Sequence, residues 1–337
     1  MTFSSVGDMR QHFFTMRHNA SLKSNLNTLA QELSTGRASD LTAHLGADQA
    51  RVSGIDRQLQ MLSGFTQSNR QTGQLLDMMQ LALSGIEDHR AAAASALLTI
   101  TDGSSPAQIQ DAAKVAMAGF EGVVHAMNSR FGDRAMFGGN DMSSNPLAPA
   151  ADMMDELRTA VSGAAGFGDV EAILEDWFNT AGGGFDTLGF QGDTGGAPLQ
   201  RAADDARTID IEARADDPAI RDALKYFAMG ALAADSAVPL NKEDRTALQQ
   251  DAGEGLMTVS SHLTSVQSGL GSIQGLVEQG SARLAAKTST LSIARNDLVS
   301  VDPFDTATKL QNVQLQLETH YTLTARLSRL SLTEYLR

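Results

Sequence analysis

The sequence predicts a mainly α-helical chain of several parts, in which helices from both ends enclose a small α+β insert. Three observations carry this. Leu22, Leu26, Leu29 and Leu33 repeat with the 4-3-4 spacing of a heptad seam, and Leu310, Val313, Leu317, Tyr321, Leu327 and Leu330 recur as a second apolar stripe at the other end. Aromatic residues make up only 5% of the 337, while Ala, Leu, Gln, Ser and Asp are abundant, a composition suited to long helices. Five of the seven prolines, with glycine clusters at Gly182 to Gly184 and Gly195-Gly196, fall between residues 141 and about 245 and mark a change of texture there.

The first seam occupies residues 1 to about 35, with Phe13, Phe14 and Met16 ahead of the leucines. Ser34, Thr35 and Gly36 interrupt it, and glycine there suits a helix C-terminus or sharp bend. From Asp48 to Gly85, Val52, Ile55, Leu59, Leu62, Leu75, Leu76, Met79 and Leu83 keep a helical period, and the Ala-rich run from Ile86 to Ile100 extends it. TDGSSPAQIQ is a break and restart: Ser105 can cap, Pro106 takes the first helical position, and Gln108 completes a capping box. The helix that follows carries Phe120, Val123, Val124 and Met127 and returns along the previous one, ending near Gly132 and Gly138-Gly139.

In the insert, Val170 to Phe178 reads as a short helix anchored by Trp177 and Phe178. RTIDIEA at Arg207 to Ala213 alternates as a strand, which Pro198 to Ala203 can join as a hairpin across Asp204-Asp205. Asp217-Pro218 opens a helix through Ala223, Leu224, Phe227 and Leu232. A third long helix runs from about Asn241 to Asn296 on Leu248, Leu256, Val259, Leu263, Val266, Leu270, Ile273, Leu276 and Leu284. Its glycines, Gly253, Gly255, Gly269, Gly271, Gly275 and Gly280, each cost about 1 kcal/mol against Ala and predict tight packing along it. Asp302-Pro303 then starts the last helix. Its narrow apolar seam is marginal alone, so it predicts burial against another helix of this chain or of a neighbouring copy.

Chemistry is excluded step by step. The formal charge of −14 disfavours nucleic acid or an anionic membrane as partner, since both demand a basic face. With no cysteine there is no disulfide, thiol or thiolate metal site. No stretch approaches the roughly 20 apolar residues of a membrane helix, and MTFSSVGDMRQHFF lacks the parts of a secretory signal, which by composition alone points to the cytoplasm. The seven histidines form no HExxH. GLGSIQG has the wrong spacing and position for a dinucleotide loop. Asp204, Asp205, Asp216 and Asp217 read as solvated turn formers, without the ligand spacing of a calcium loop. Met78, Met79, Met117, Met127, Met136, Met153 and Met154 read as adaptable core fillers. No nucleophile, base and oxyanion set is present, so neither an enzyme nor a cofactor site, metal included, is expected.

QELSTGRASD after the first seam, together with LSRLSLTEYL at the end, resembles the two ends of the bacterial flagellin family. Within it, NSRFGDRAMFGGN at Asn128 to Asn140 and the ending SLTEYL are more similar to the hook-filament junction proteins, the hook-associated members, than to filament flagellin. ASDLTAHLGAD at Ala38 to Asp48 stands where flagellins usually carry an Asn-rich, Asp-Asp-Ala-Gly loop. The resemblance covers about 1 to 140 and 245 to 337 and implies an elongated multi-domain rod. Its parts are terminal coiled-coil assembly segments, 1–45 and 297–337; an antiparallel helical bundle, 46–140 and 245–296; and an inserted outer domain, 141–244.

By the same resemblance the chain is a structural protein that joins hook to filament by polymerising through its two ends. The implied assembly contacts are Leu22, Leu26, Leu29, Leu33, Leu310, Val313, Leu317, Leu327 and Leu330. The implied partners are copies of itself, a hook-side junction protein and flagellin, with an export chaperone at the C-terminal segment, no nucleic acid and no membrane insertion. The implied location is the extracellular flagellum, reached by type III export without a cleaved signal. Two alternatives stay open: filament flagellin, and a cytoplasmic helical scaffold or signalling protein.

Overall fold

The computed structural model describes residues 4–204 and 207–335, with side chains over 9, 10, 13–204 and 207–326. Two compact units divide the chain, Met1–Leu62 with Ala286–Arg337, and Ser63–Ala285.

In the terminal unit, helix α1 (Ser4–Thr35) packs against helix α9 (Pro303–Tyr335). Both ends of the pairing are set by local chemistry. Gly36 adopts φ 68° and its amide still reaches the Glu32 carbonyl at 2.8 Å, a left-handed helix stop. The Asp302 carboxylate accepts from the amides of Phe304 at 2.8 Å and Asp305 at 3.3 Å, with Pro303 at the first turn, as the sequence predicts. ASDLTAHLGAD is not a plain loop: Asp40 caps a short helix α2 (Leu41–Leu45), whose Leu45 packs with Val52 and Val299.

Helix α3 (Gln49–Leu98) is continuous over the two predicted stretches, and α8 (Lys242–Val299) covers the third. Within the unit Ser63–Ala285 they run antiparallel, joined by side chains stepping along both: Asn69 to Ser281 at 3.4 Å, Asp77 to Gln274 at 2.8 Å, and Gln80 to the Gln267 carbonyl at 2.7 Å. The break before α4 (Pro106–Met127) is the predicted capping box: Gln108 N–H donates to Ser105 Oγ at 3.3 Å and Ser105 N–H to Gln108 Oε1 at 2.7 Å. A tight hairpin follows, β1 (Arg130–Phe131) and β2 (Arg134–Ala135), turning at Gly132 with φ 64°.

The insert contributes α5 (Ala150–Val161), α6 (Phe167–Asn179), a single π turn at Phe185–Gly189, and an antiparallel hairpin of β3 (Leu199–Ala202) and β4 (Thr208–Ile211). The hairpin pairs the two predicted segments, with Leu199 opposite Ile211 and with Ile209 and Ile211 facing the core; Asp205 of the predicted turn lies outside the described residues. Helix α7 (Pro218–Leu232), capped by Asp217 on the Ala219 amide at 2.9 Å, lies against α4 and α6. One contiguous core joins Leu76, Met79, Leu83 and Leu97 of α3 with Phe120, Phe178, Phe227 and Leu256.

Three expectations need correction. Met78 is exposed, because it falls beside Met79 on the far side of the α3 stripe. Leu276 is also exposed, while Val277 takes the inward position. Tight packing explains Gly253 and Gly255, where a Cβ would stand 2.8 Å from Leu98 and 2.2 Å from Tyr226, but Gly269, Gly271 and Gly275 face open space. Helix α5 was not foreseen; its Met153, Met154, Leu157 and Val161 do form an inward stripe.

Candidate functional site

The paired terminal helices, α1 and α9, are the candidate site. Pairing α1 with α9 sorts the predicted contacts by depth. Leu22 and Leu317 are buried within the pair. Leu26, Leu29, Leu310 and Val313 are half-buried, and Leu33 is exposed. Leu29 and Val313 line an open groove of about 400 Å³ with Asn25, Thr28, Lys309 and Asn312. The side chains of Leu327 and Leu330 lie outside the described residues.

Polar contacts index the pair. The His18 and His320 rings stand 5.3 Å apart, and Lys23 Nζ lies 5.8 Å from the centre of the Tyr321 ring. His320 Nδ1 and Asn19 Oδ1 are buried without a hydrogen-bond partner among the described residues. Beyond the end of the pair, Arg37 Nη2 donates to Asn296 Oδ1 at 3.3 Å, and Arg295 Nε donates to the Asp56 carboxylate. At the rim, the hydrogen bond from Lys309 to Asp305, then the carboxylate's charge, hold the Lys309 ammonium above its ordinary range. Among the described residues no cluster of three His, Asp or Glu could hold a metal ion.

Sequence reasoning missed a second set of apolar side chains, those the pairing leaves outside. Phe304 is 83% exposed, Leu315 63% and Leu323 53%; on α1, Met9, Phe13, Phe14 and Met16 are also exposed. Isolated exposed leucines are ordinary, but this concentration on two neighbouring helices is not. A signal for part of it exists in the sequence: Leu315 is two positions off the predicted seam at Leu317, so it points away from it, whereas Tyr321, expected on that seam, is itself 47% exposed.

Comparison with known proteins agrees with this architecture. Residues 255–336 match the family model described as the bacterial flagellin C-terminal helical region. No curated protein matches the sequence. Among solved structures, a putative flagellar hook-associated protein from Vibrio parahaemolyticus aligns with TM-score 0.53 at 8% identity, over 76% of this chain and 99% of that one. The crystal structure of Bacillus cereus FlgL aligns at 13% identity over 73% of this chain and 96% of that one, with TM-score 0.39. Among the described residues no helix is long and apolar enough to cross a membrane. The chain is thus similar over its C-terminal stretch to the bacterial flagellin helical region, and in fold to a hook-associated protein.

Proposed function

We propose that the chain is the subunit that joins the flagellar hook to the filament, polymerising through α1 and α9. The observation that carries the reading is the outward apolar set, Phe304, Leu315 and Leu323 with Phe13 and Phe14. Once Leu22 and Leu317 are spent on the intramolecular pair, these side chains still expose apolar surface whose burial is worth about 25 cal/mol per Å². Neighbouring copies would cover it, with a hook-side junction protein at one end of the stack and flagellin at the other. The half-buried Leu26, Leu29, Leu310 and Val313 would form the floor of those contacts. A chaperone shielding the C-terminal segment would keep the same surface from sticking before export, and the assembled subunit would reside outside the cell. The division into terminal segments, bundle and outer domain at 1–45 with 297–337, 46–140 with 245–296, and 141–244 belongs to the same proposal.

A second reading is filament flagellin, favoured by the match of residues 255–336 to the flagellin region itself. Immunogold electron microscopy of intact flagella with antibody to residues 141–244 separates the two. A narrow band between hook and filament supports the junction; label along the whole filament makes the chain a flagellin. No flagellar label, with the antigen accessible, removes both.

A further inference from the structure

A cavity of about 320 Å³ opens between α3 and the two β-hairpins of the unit Ser63–Ala285, and two arginines, Arg134 of β2 and Arg201 of β3, line it together. Among the described residues neither enters an ion pair, and Arg201 reaches only a thioether, Met142 Sδ, at 3.9 Å. That sets it apart from the other partly buried arginines of the unit. Arg214 holds Asp216 at 2.8 Å, Arg221 holds Asp186 at 2.8 Å, Arg158 holds Asp235 at 2.7 Å, and Arg245 donates to four backbone carbonyls. Burial, and then the charge of Arg134, push the Arg201 guanidinium below its ordinary range, although it stays cationic. A half-buried guanidinium with a second, exposed one beside it, in a chain of net charge −14, is compensated most simply by a bound anion.

The remaining walls describe that anion. Leu75 and Phe131 provide an apolar side, while the Ser68 hydroxyl and the Gln71 amide make no hydrogen bond among the described residues and remain available to a hydroxylated ligand. Asp133 stands on the same lining and opposes a doubly charged anion, which favours a carboxylate over a phosphate. The volume is that of roughly ten waters, too large for a bare carboxylate and at the small end of ligand pockets. We propose that this cavity binds a singly charged, carboxylate-bearing small molecule of sugar-acid size, its carboxylate held by Arg134 and Arg201 and its hydroxyls by Ser68 and Gln71. The proposal is independent of the flagellar reading, since it uses none of the terminal helices.

The test is calorimetric titration of the full chain at low salt with glucuronate, with glucose and inorganic phosphate as controls. Glucuronate should bind, glucose should not, and phosphate should bind more weakly. Arg134→Gln and Arg201→Gln should each weaken glucuronate by about tenfold or more, and Asp133→Asn should tighten it. Arg134 and Asp133 are exposed, so their variants keep the test alive even if Arg201→Gln fails to fold. No glucuronate binding at millimolar concentration, equal binding of glucose or phosphate, or indifference to Arg134→Gln overturns the proposal.

Discussion

The amide of Val301 donates to the carbonyl of Gly36 at 3.1 Å, so the break that ends the first helix is stitched to the break that precedes the last. The Ala38 amide does the same to the Val299 carbonyl at 3.1 Å, and Arg37 and Ser300 face each other between them as one antiparallel bridge. These bonds fix where α1 and α9 start their shared course, and they depend on Gly36 holding φ 68°.

Because a Cβ at Gly36 would meet nothing within 4 Å, Gly36→Ala tests the backbone conformation alone. It should cost about 1 kcal/mol, the penalty of a left-handed L-residue, and Gly36→Asn should cost less. Chemical denaturation followed by helix content measures both. An Ala variant as stable as the parent would mean that the clamp does not need the left-handed stop.

Leu317 and Leu315 lie on opposite sides of α9, 7% and 63% exposed, and should fail differently. Leu317→Ala should destabilise the pair by about 2 kcal/mol, at the low end for a buried leucine because a two-helix contact collapses easily around the loss. Leu315→Ala should change monomer stability by less than about 0.5 kcal/mol. If α9 docks on neighbours through its outer face, the same substitution should abolish incorporation into flagella. Normal filament attachment with Leu315, Leu323 and Phe304 all changed to Ala would separate this face from assembly.

Gly119 on α4 is where α7 makes its close approach: a Cβ there would stand 2.1 Å from Phe227 Cε1 in the core. Gly119→Ala should destabilise the unit Ser63–Ala285 by about 1–3 kcal/mol through overpacking. Adding Phe227→Leu should recover part of the loss, a coupling that a double-mutant cycle reads directly.

Acid sensitivity should trace in part to Glu175. The hydrogen bond from Lys225 Nζ at 2.7 Å lowers its pKa, against the opposing effect of burial and with help from Asn179. A carboxyl lowered in the folded state contributes stability that is present above its unfolded value and lost as pH falls through the folded one. The loss should therefore begin near pH 4.5 and deepen below it. Glu175→Gln should flatten the dependence of the denaturation midpoint on pH below about 4.5 while leaving Lys225 buried. Asp217 works in the other direction: burial raises its pKa, so its favourable contribution is lost as pH rises through the folded value. A Glu175→Gln slope identical to that of the parent would place the acid sensitivity elsewhere.

What could be read from the residues alone was whatever is decided within a few positions of the chain. Ser105, Pro106 and Gln108 form their capping box, Asp217 and Asp302 cap their helices, Gly36 stops α1, and the Ile209-Ile211 alternation places β4, because each is a local contest between backbone groups and a nearby side chain. The apolar periods of α3, α8 and the two ends were legible for the same reason: a helix stripe must be buried somewhere. Which side of a stripe meets a partner is a different question. That Met78 and Leu276 stay outside, that Gly119 admits Phe227, that Leu29 and Val313 open on a groove while Leu315 and Phe304 remain bare, and that Arg134 and Arg201 share a cavity are set by chain segments distant in sequence. Periodicity specifies that a face will be covered; only three-dimensional packing decides what covers it and what is left for another molecule.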